Sequence, residues 1–170
     1  MIARVIQCSA LAAIASLALA ACASASDGPL QFTTNENQMC APRAEYSHAA
    51  LGTALDYTGS DAITIQSVEP VHPTGLKVLD SYVMPVTPAL RFMFDNFPPT
   101  DQFPDAWLEA KPAGAFTVPT SGSFDLITEV QATGDGDAVL DGLTVVYTVG
   151  GRTYEATTHL SFKIVNGSCN

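Results

Sequence analysis

Gly150-Gly151 stands between two runs in which apolar residues alternate with polar ones, and that dipeptide constrains the fold more than any other feature of the chain. A two-residue turn of type I′ needs positive φ at both central positions, which glycine adopts without strain, and its twist matches the strands it joins. The turn sets the register: Val149 opposite Arg152, Tyr147 opposite Tyr154, Val145 opposite Ala156 and Leu143 opposite Thr158. Leu143, Val145, Tyr147 and Val149 then share a face with Tyr154 and Ala156 and, further along the last strand, with Leu160, Phe162 and Ile164. Thr153, Glu155, Thr157, His159, Ser161 and Lys163 take the opposite face. A slip of one residue would turn all of these side chains over, so the sequence specifies an antiparallel ribbon with one buried side.

Earlier segments repeat the same period. Leu51, Thr53, Leu55 and Tyr57 alternate before the turn residues Thr58-Gly59-Ser60-Asp61, and Ile63 and Ile65 open a strand running toward Val71. After His72-Pro73-Thr74-Gly75, a third run from Leu76 to Val86 carries Val78, Tyr82 and Met84 on one side. Phe124, Leu126 and Val130 mark a further strand ahead of Gly134-Asp135-Gly136-Asp137. No stretch sustains a 3.6-residue repeat. Short strands punctuated by turn residues in this way predict an all-β fold, an antiparallel β-sandwich of about seven strands.

One region breaks the rhythm. Between Phe92 and Pro112 the chain gathers Pro98, Pro99, Pro104 and Pro112 with Phe94, Phe97, Phe103 and Trp107. Proline forbids a central strand here, and the length exceeds a hairpin loop. Asp105 to Glu109 can form one helical turn behind Pro104. Two readings stay open: a loop folded over one end of the sandwich whose aromatics plug the core, or a recognition loop in which Phe97, Phe103 and Trp107 contact a partner, since aromatic anchors dominate interface energetics.

The N-terminus has the form of an export signal. Arg4 is the only charge in the first 26 residues, and Ala10 to Ala21 is apolar apart from Ser16. That run is too short for a permanent span, which needs about 20 apolar residues. Leu19-Ala20-Ala21-Cys22 at its end resembles the lipobox of bacterial lipoproteins. The resemblance implies cleavage before Cys22 and acylation of its sulfur, and so a protein held outside the cytoplasm on the cell membrane. In a host with two membranes, Ala23 rather than Asp after the cysteine implies the outer one. Ala23-Ser24-Ala25 offers the alternative of ordinary secretory cleavage. Residues 1–21 are thus expected as leader, 22–39 as a polar flexible tether and 40–170 as the domain. Seventeen residues between Cys22 and Cys40 would reach about 23 Å as a random coil.

Of the four cysteines, Cys8 falls in the leader and Cys22 is the lipid site, leaving Cys40 and Cys169 near the two ends of the domain. In an exported chain they predict one disulfide. A redox or copper site would want a CxxC partner or a close histidine, and neither cysteine has one. Without the leader, six Lys and Arg face seventeen Asp and Glu, a net charge of −11. Such a surface repels nucleic acid and anionic lipid, so attachment falls to the acyl chains.

The early cysteine, Tyr57-Thr58-Gly59-Ser60, Ile63-Thr64-Ile65 and Val145-Val146-Tyr147 before Gly150-Gly151-Arg152 together resemble uncharacterised immunoglobulin-like lipoproteins of high-GC Gram-positive bacteria. The resemblance implies that the sandwich is immunoglobulin-like. The elements are fold-level and bring no activity with them. Antibody domains differ, because they tie facing sheets beside a buried Trp, whereas Cys40 and Cys169 would tie the chain ends.

Candidate chemistry is sparse. His48, His72 and His159 with Met39, Met84 and Met93 are copper-ligand types, yet no His-x-Met pair or cluster occurs; His159 falls on the solvent face, and Met84 reads as core. Asp135, Asp137 and Asp141 suggest calcium but lack EF-hand spacing and its terminal Glu, and Asp-Gly is first a turn dipeptide. Ser121-Gly122-Ser123 does not make a nucleophile elbow. No carboxylate pair is singled out. The sequence therefore predicts no metal site, no cofactor and no catalytic residue. It reads as a lipid-anchored, extracytoplasmic binding or assembly module whose partners are the membrane and another envelope protein, with a copper- or calcium-handling lipoprotein as the alternative.

Overall fold

The computed structural model of the protein describes residues 28–33, 38–85, 94–118 and 121–169. The expected leader, the expected lipid site Cys22, Met93 and Val86 lie outside the described residues. In chain order the elements are β1 (Leu30–Phe32), β2 (Gln38–Pro42), α1 (Arg43–Tyr46), β3 (His48–Tyr57), β4 (Ile63–Val71), β5 (Leu76–Pro85), β6 (Phe94–Asn96), α2 (Pro104–Leu108) and β7 (Lys111–Pro112). A 3-10 turn (Ala113–Ala115) follows, then β8 (Thr117–Val118), β9 (Gly122–Ala132), β10 (Ala138–Leu140), β11 (Gly142–Val149), β12 (Arg152–Thr157) and β13 (Ser161–Val165). The all-β sandwich expected from the sequence is the fold observed, built from more strands than seven.

Three sheets make two layers. The first layer is a six-stranded sheet in the order β1-β3-β9-β5-β7, with β6 sharing the outer edge of β3 with β1. Opposite it, the four-stranded sheet β12-β11-β4-β8 and the three-stranded sheet β10-β13-β2 stand end to end. One half of the core packs Leu55, Tyr57, Phe124 and Leu126 of the first layer against Ile63, Ile65, Val145 and Tyr147. The other half packs Leu51, Val130 and Leu76 against Leu140, Phe162 and Ile164. Val68 touches both halves.

The Gly150-Gly151 hairpin has the expected register. Val149 pairs with Arg152, Tyr147 with Tyr154 and Val145 with Ala156, and both glycines have positive φ (55° and 79°). Beyond Thr157 the expectation of one long final strand fails. The chain turns at Thr158–Leu160, where the Thr158 hydroxyl accepts the Leu160 N–H at 3.1 Å. It then enters the other small sheet, where β13 runs parallel to β2 and antiparallel to β10. Alternation persists through the corner, so Leu160, Phe162 and Ile164 are still buried.

β5 departs from its expected facing. The sequence places Val78, Tyr82 and Met84 on one side, but a register shift between Val78 and Ser81 inserts a bulge against β9. An extra residue in one strand reverses which side chains point inward. Val78 and Val83 therefore pack into the sandwich, while Tyr82 and Met84 lie on its outer face.

The expected tether also shortens. Leu30–Phe32 pairs with Leu55–Tyr57 along the edge of β3, and Leu30 is 3% exposed. The Leu30 N–H donates to the Tyr147 hydroxyl at 3.2 Å, and the Thr58 N–H donates to the Pro29 carbonyl at 3.0 Å. Gln38 and Met39 already belong to β2. Three residues are too few to show a period in sequence; they order because the β3 edge supplies partners for their backbone groups. Cys40 and Cys169 form the expected disulfide, with Cα atoms 5.8 Å apart.

Candidate functional site

β9 reads Gly-Ser-Phe-Asp-Leu-Ile-Thr-Glu-Val-Gln-Ala and is buried on both faces from Phe124 to Val130. Phe124, Leu126 and Val130 fill the sandwich. Asp125, Ile127 and Glu129 necessarily face the other way. What covers Ile127 is the segment expected from sequence to be a Pro/aromatic loop. It is better described as a short strand, β6, then the single turn of helix α2 behind Pro104, then β7.

This segment covers the outer face of the six-stranded sheet and not one end of the sandwich. Phe97, Phe103, Ala106 and Trp107 pack on Ala50, Met84 and Ile127, with Tyr82 beside them. Trp107 meets Tyr82 and Phe97 edge-on, with ring centroids 5.1 Å and 5.5 Å apart, and Tyr82 lies 5.8 Å from Phe97. The three predicted recognition residues are thus together, half-buried, with their inner sides on the sheet. The aromatics seal an outer core on the sheet and stay partly exposed. Beside Trp107, Leu108 is 83% exposed, the most exposed large apolar side chain among the described residues. Phe94 instead turns inward, 5.0 Å from Phe162 and 4.4 Å from Tyr46.

Of the polar groups of this face the sequence reading names only His48, and not its partner. His48 Nε2 lies 2.5 Å from Glu129 Oε1, and the His48 ring packs 5.4 Å from Phe97. Asp125 is fully buried, and Asp95 is nearly so, its Oδ1 accepting the Asn96 N–H at 2.7 Å. A signal was present: Ile127 between Asp125 and Glu129 marks a strand face that is neither purely polar nor core. Residues far apart in sequence supply the rest.

The other candidates are dispersed. His72 has a positive φ of 45° and lies 3.2 Å from Asp141 on the exposed surface; His159 is exposed. Met84 is buried in the outer core and Met39 is half-buried on β2. Asp135 and Asp137 belong to a loop pinned by other chain segments. The Arg43 guanidinium donates to the Gly134 and Gly136 carbonyls, and the Asn166 side-chain amide donates to the Asp135 carbonyl. Asp137 Oδ1 accepts the Asn166 N–H at 3.3 Å, and Asp137 Oδ2 lies 3.3 Å from Lys163 Nζ. That backbone donor first, and Lys163 second, hold the Asp137 carboxyl below its usual range. Among the described residues no group of three His, Cys, Asp or Glu is placed to hold a metal ion. Ser123 donates to Asp56 and has no histidine beside it.

Tyrosines carry a pH dependence. Burial pushes the Tyr57, Tyr82 and Tyr147 phenols above their ordinary value of 10.0. The Asp61 charge adds to this at Tyr57, and those of Asp80 and Glu129 at Tyr82; the Leu30 N–H opposes it at Tyr147. Above about pH 10 the unfolded chain has lost protons that the folded state retains, so unfolding releases protons and rising pH favours it. The denaturation midpoint is expected to hold up to about pH 10 and fall beyond it. Tyr147→Phe should make that alkaline limb shallower; an unchanged limb would remove Tyr147 as one of its causes.

No protein-family model and no curated protein matches the sequence. Among solved structures the chain is similar to the ASH/PapD-like domain of human CEP192 (PapD-like domain 7), with a TM-score of 0.40 and 12% identity, covering 97% of this chain and 100% of that one.

Proposed function

We propose that this protein is a non-catalytic binding or assembly module, acylated at Cys22 and held outside the cytoplasm, which engages an envelope protein through its α2 face. The observation that supports this reading is Leu108, 83% exposed beside the Tyr82–Phe97–Trp107 cluster. Rigid aromatic side chains with an apolar residue at their margin lose little conformational freedom on binding and make effective anchors. The packing beneath them fixes the face before any partner arrives.

The test is photo-crosslinking in the native envelope from a reactive residue in place of Asp105 on α2, with Thr153 on the far sheet as the comparison site. A discrete adduct from position 105, absent from position 153, is expected. Leu108→Asp should abolish it while shifting stability by less than about 0.5 kcal/mol, as for an exposed side chain. Adducts common to both positions, or an adduct that survives Leu108→Asp, would reject the α2 face as the docking surface.

A further inference from the structure

The place where the chain enters the fold sets which end of the sandwich a lipid anchor would hold down. Pro29 and Leu30 are fixed at one end, by the Thr58 N–H on the Pro29 carbonyl and by the Leu30 N–H on the Tyr147 hydroxyl. Gly28 is pressed against this end: a Cβ there would collide with the Tyr147 hydroxyl. The same end carries the Thr58–Asp61 and Gly150-Gly151 turns, since Tyr57 pairs with Leu30 and Tyr147 lies two residues before Val149.

The opposite end is a full strand away. β9 runs from Gly122, paired with Tyr57, to Ala132, whose N–H donates to the Ser47 carbonyl. Its eleven residues separate the two ends by about 33 Å. Beyond Ala132 lie the Gly134–Asp137 loop, Arg43, Asn166 and the disulfide. Five residues stand between Cys22 and Gly28, so even fully extended this stretch spans only about 20 Å. That is shorter than the domain itself.

We infer that, on a bilayer, the Thr58–Asp61/Gly150-Gly151 end faces the lipid and the Gly134–Asp137 loop stands outermost. This rests on acylation at Cys22. Lying flat would press a long side of a domain whose mature net charge is −11 onto anionic headgroups, which its own field opposes. The α2 face is then lateral: Tyr82, on which Trp107 packs, pairs with Ile127 at the midpoint of β9. A partner on that face is met side-on at mid-height.

The experiment uses the full lipidated chain in liposomes of phosphatidylethanolamine and phosphatidylglycerol that carry an acceptor dye on the headgroups. A donor dye is attached through an azide-bearing residue in place of Ser60, at the near end, or of Gly136, where an added Cβ meets nothing within 4 Å. Energy transfer is expected to be several-fold greater from position 60 than from position 136. Inserting about twenty Gly/Ser residues after Ser26 should bring the two toward parity, because the coil then reaches as far as the domain is long. Flotation with the liposomes, lost in Cys22→Ser, reports the anchor separately. Floating protein with equal transfer from both positions overturns the orientation alone. Wild-type protein that does not float overturns the orientation and the anchor together.

Discussion

Replacing Cys40 and Cys169 together by alanine should cost about 5 kcal/mol of folding stability, read from the urea midpoint. The two residues are 129 positions apart, and a cross-link closing a loop of that length withdraws about this much chain entropy from the unfolded state. Both cysteines are exposed, so their loss leaves no cavity to add a second cost. The tie has a local task as well. β2 lies at the edge of its sheet, paired on one side only and in parallel with the five residues of β13. Cys40 in β2 is cross-linked to the chain just beyond β13, which keeps that strand in place. For a domain of this size the loss corresponds to a fall in Tm of about 10–20 °C. Because the effect acts through the unfolded chain, which expands when the cross-link is gone, the denaturant slope m should rise with it. A loss below about 1 kcal/mol with unchanged m would show that the unfolded state is not what the disulfide constrains.

Gly142→Ala should be comparably damaging, at about 3–5 kcal/mol. Gly142 has φ 153°, and a Cβ there would fall on the Thr158 carbonyl oxygen. Neither backbone segment can give way. Gly142 pairs with Val71 of β4, and Thr158 is buried with its N–H donating to the Leu143 carbonyl at 2.9 Å. This is the point where the chain leaves one small sheet for the other, so separating the strands would disturb β13 and the core half around Phe162. Gly136→Ala is the control: no positive φ, no atom within 4 Å of the added carbon, and an expected change within about 0.5 kcal/mol. If the two substitutions behave alike under urea, the close approach at the corner is not what selects glycine at 142.

The parts of the fold legible in sequence are those set by residues near one another. Gly150-Gly151 dictates the hairpin and its register through two backbone conformations. The alternation of Leu51 to Tyr57, of Ile63 and Ile65, and of Leu160 to Ile164 tells which side chains are inside. Pro104 before Asp105 and Ala106 starts α2 because its missing N–H is not needed there. The facing of Tyr82 and Met84 was not legible, because the bulge that reverses them depends on pairing with β9. Nor was the strand at Leu30–Phe32, whose partners are a β3 edge and the Tyr147 hydroxyl 117 residues away. The site divides the same way. Phe97, Phe103 and Trp107 announce themselves by composition; Tyr82, His48 and Glu129 do not, since the His48–Glu129 pair spans 81 residues.

Local patterns in the chain therefore specify an all-β fold, its hairpin register, the inward-facing residues outside β5, the pairing of its last two cysteines and an aromatic segment too rich in proline to be a central strand. These follow from dihedral preferences and a two-residue period, which act over a few neighbours. Assembly of the sheets is what splits the final strand between two of them, lays the aromatic segment over the outside of the larger one, and brings the chain in at one end of the sandwich. Each of those is settled by which edges and faces remain to be covered once the strands have paired, a quantity that belongs to the assembled sheets and to no single stretch of chain.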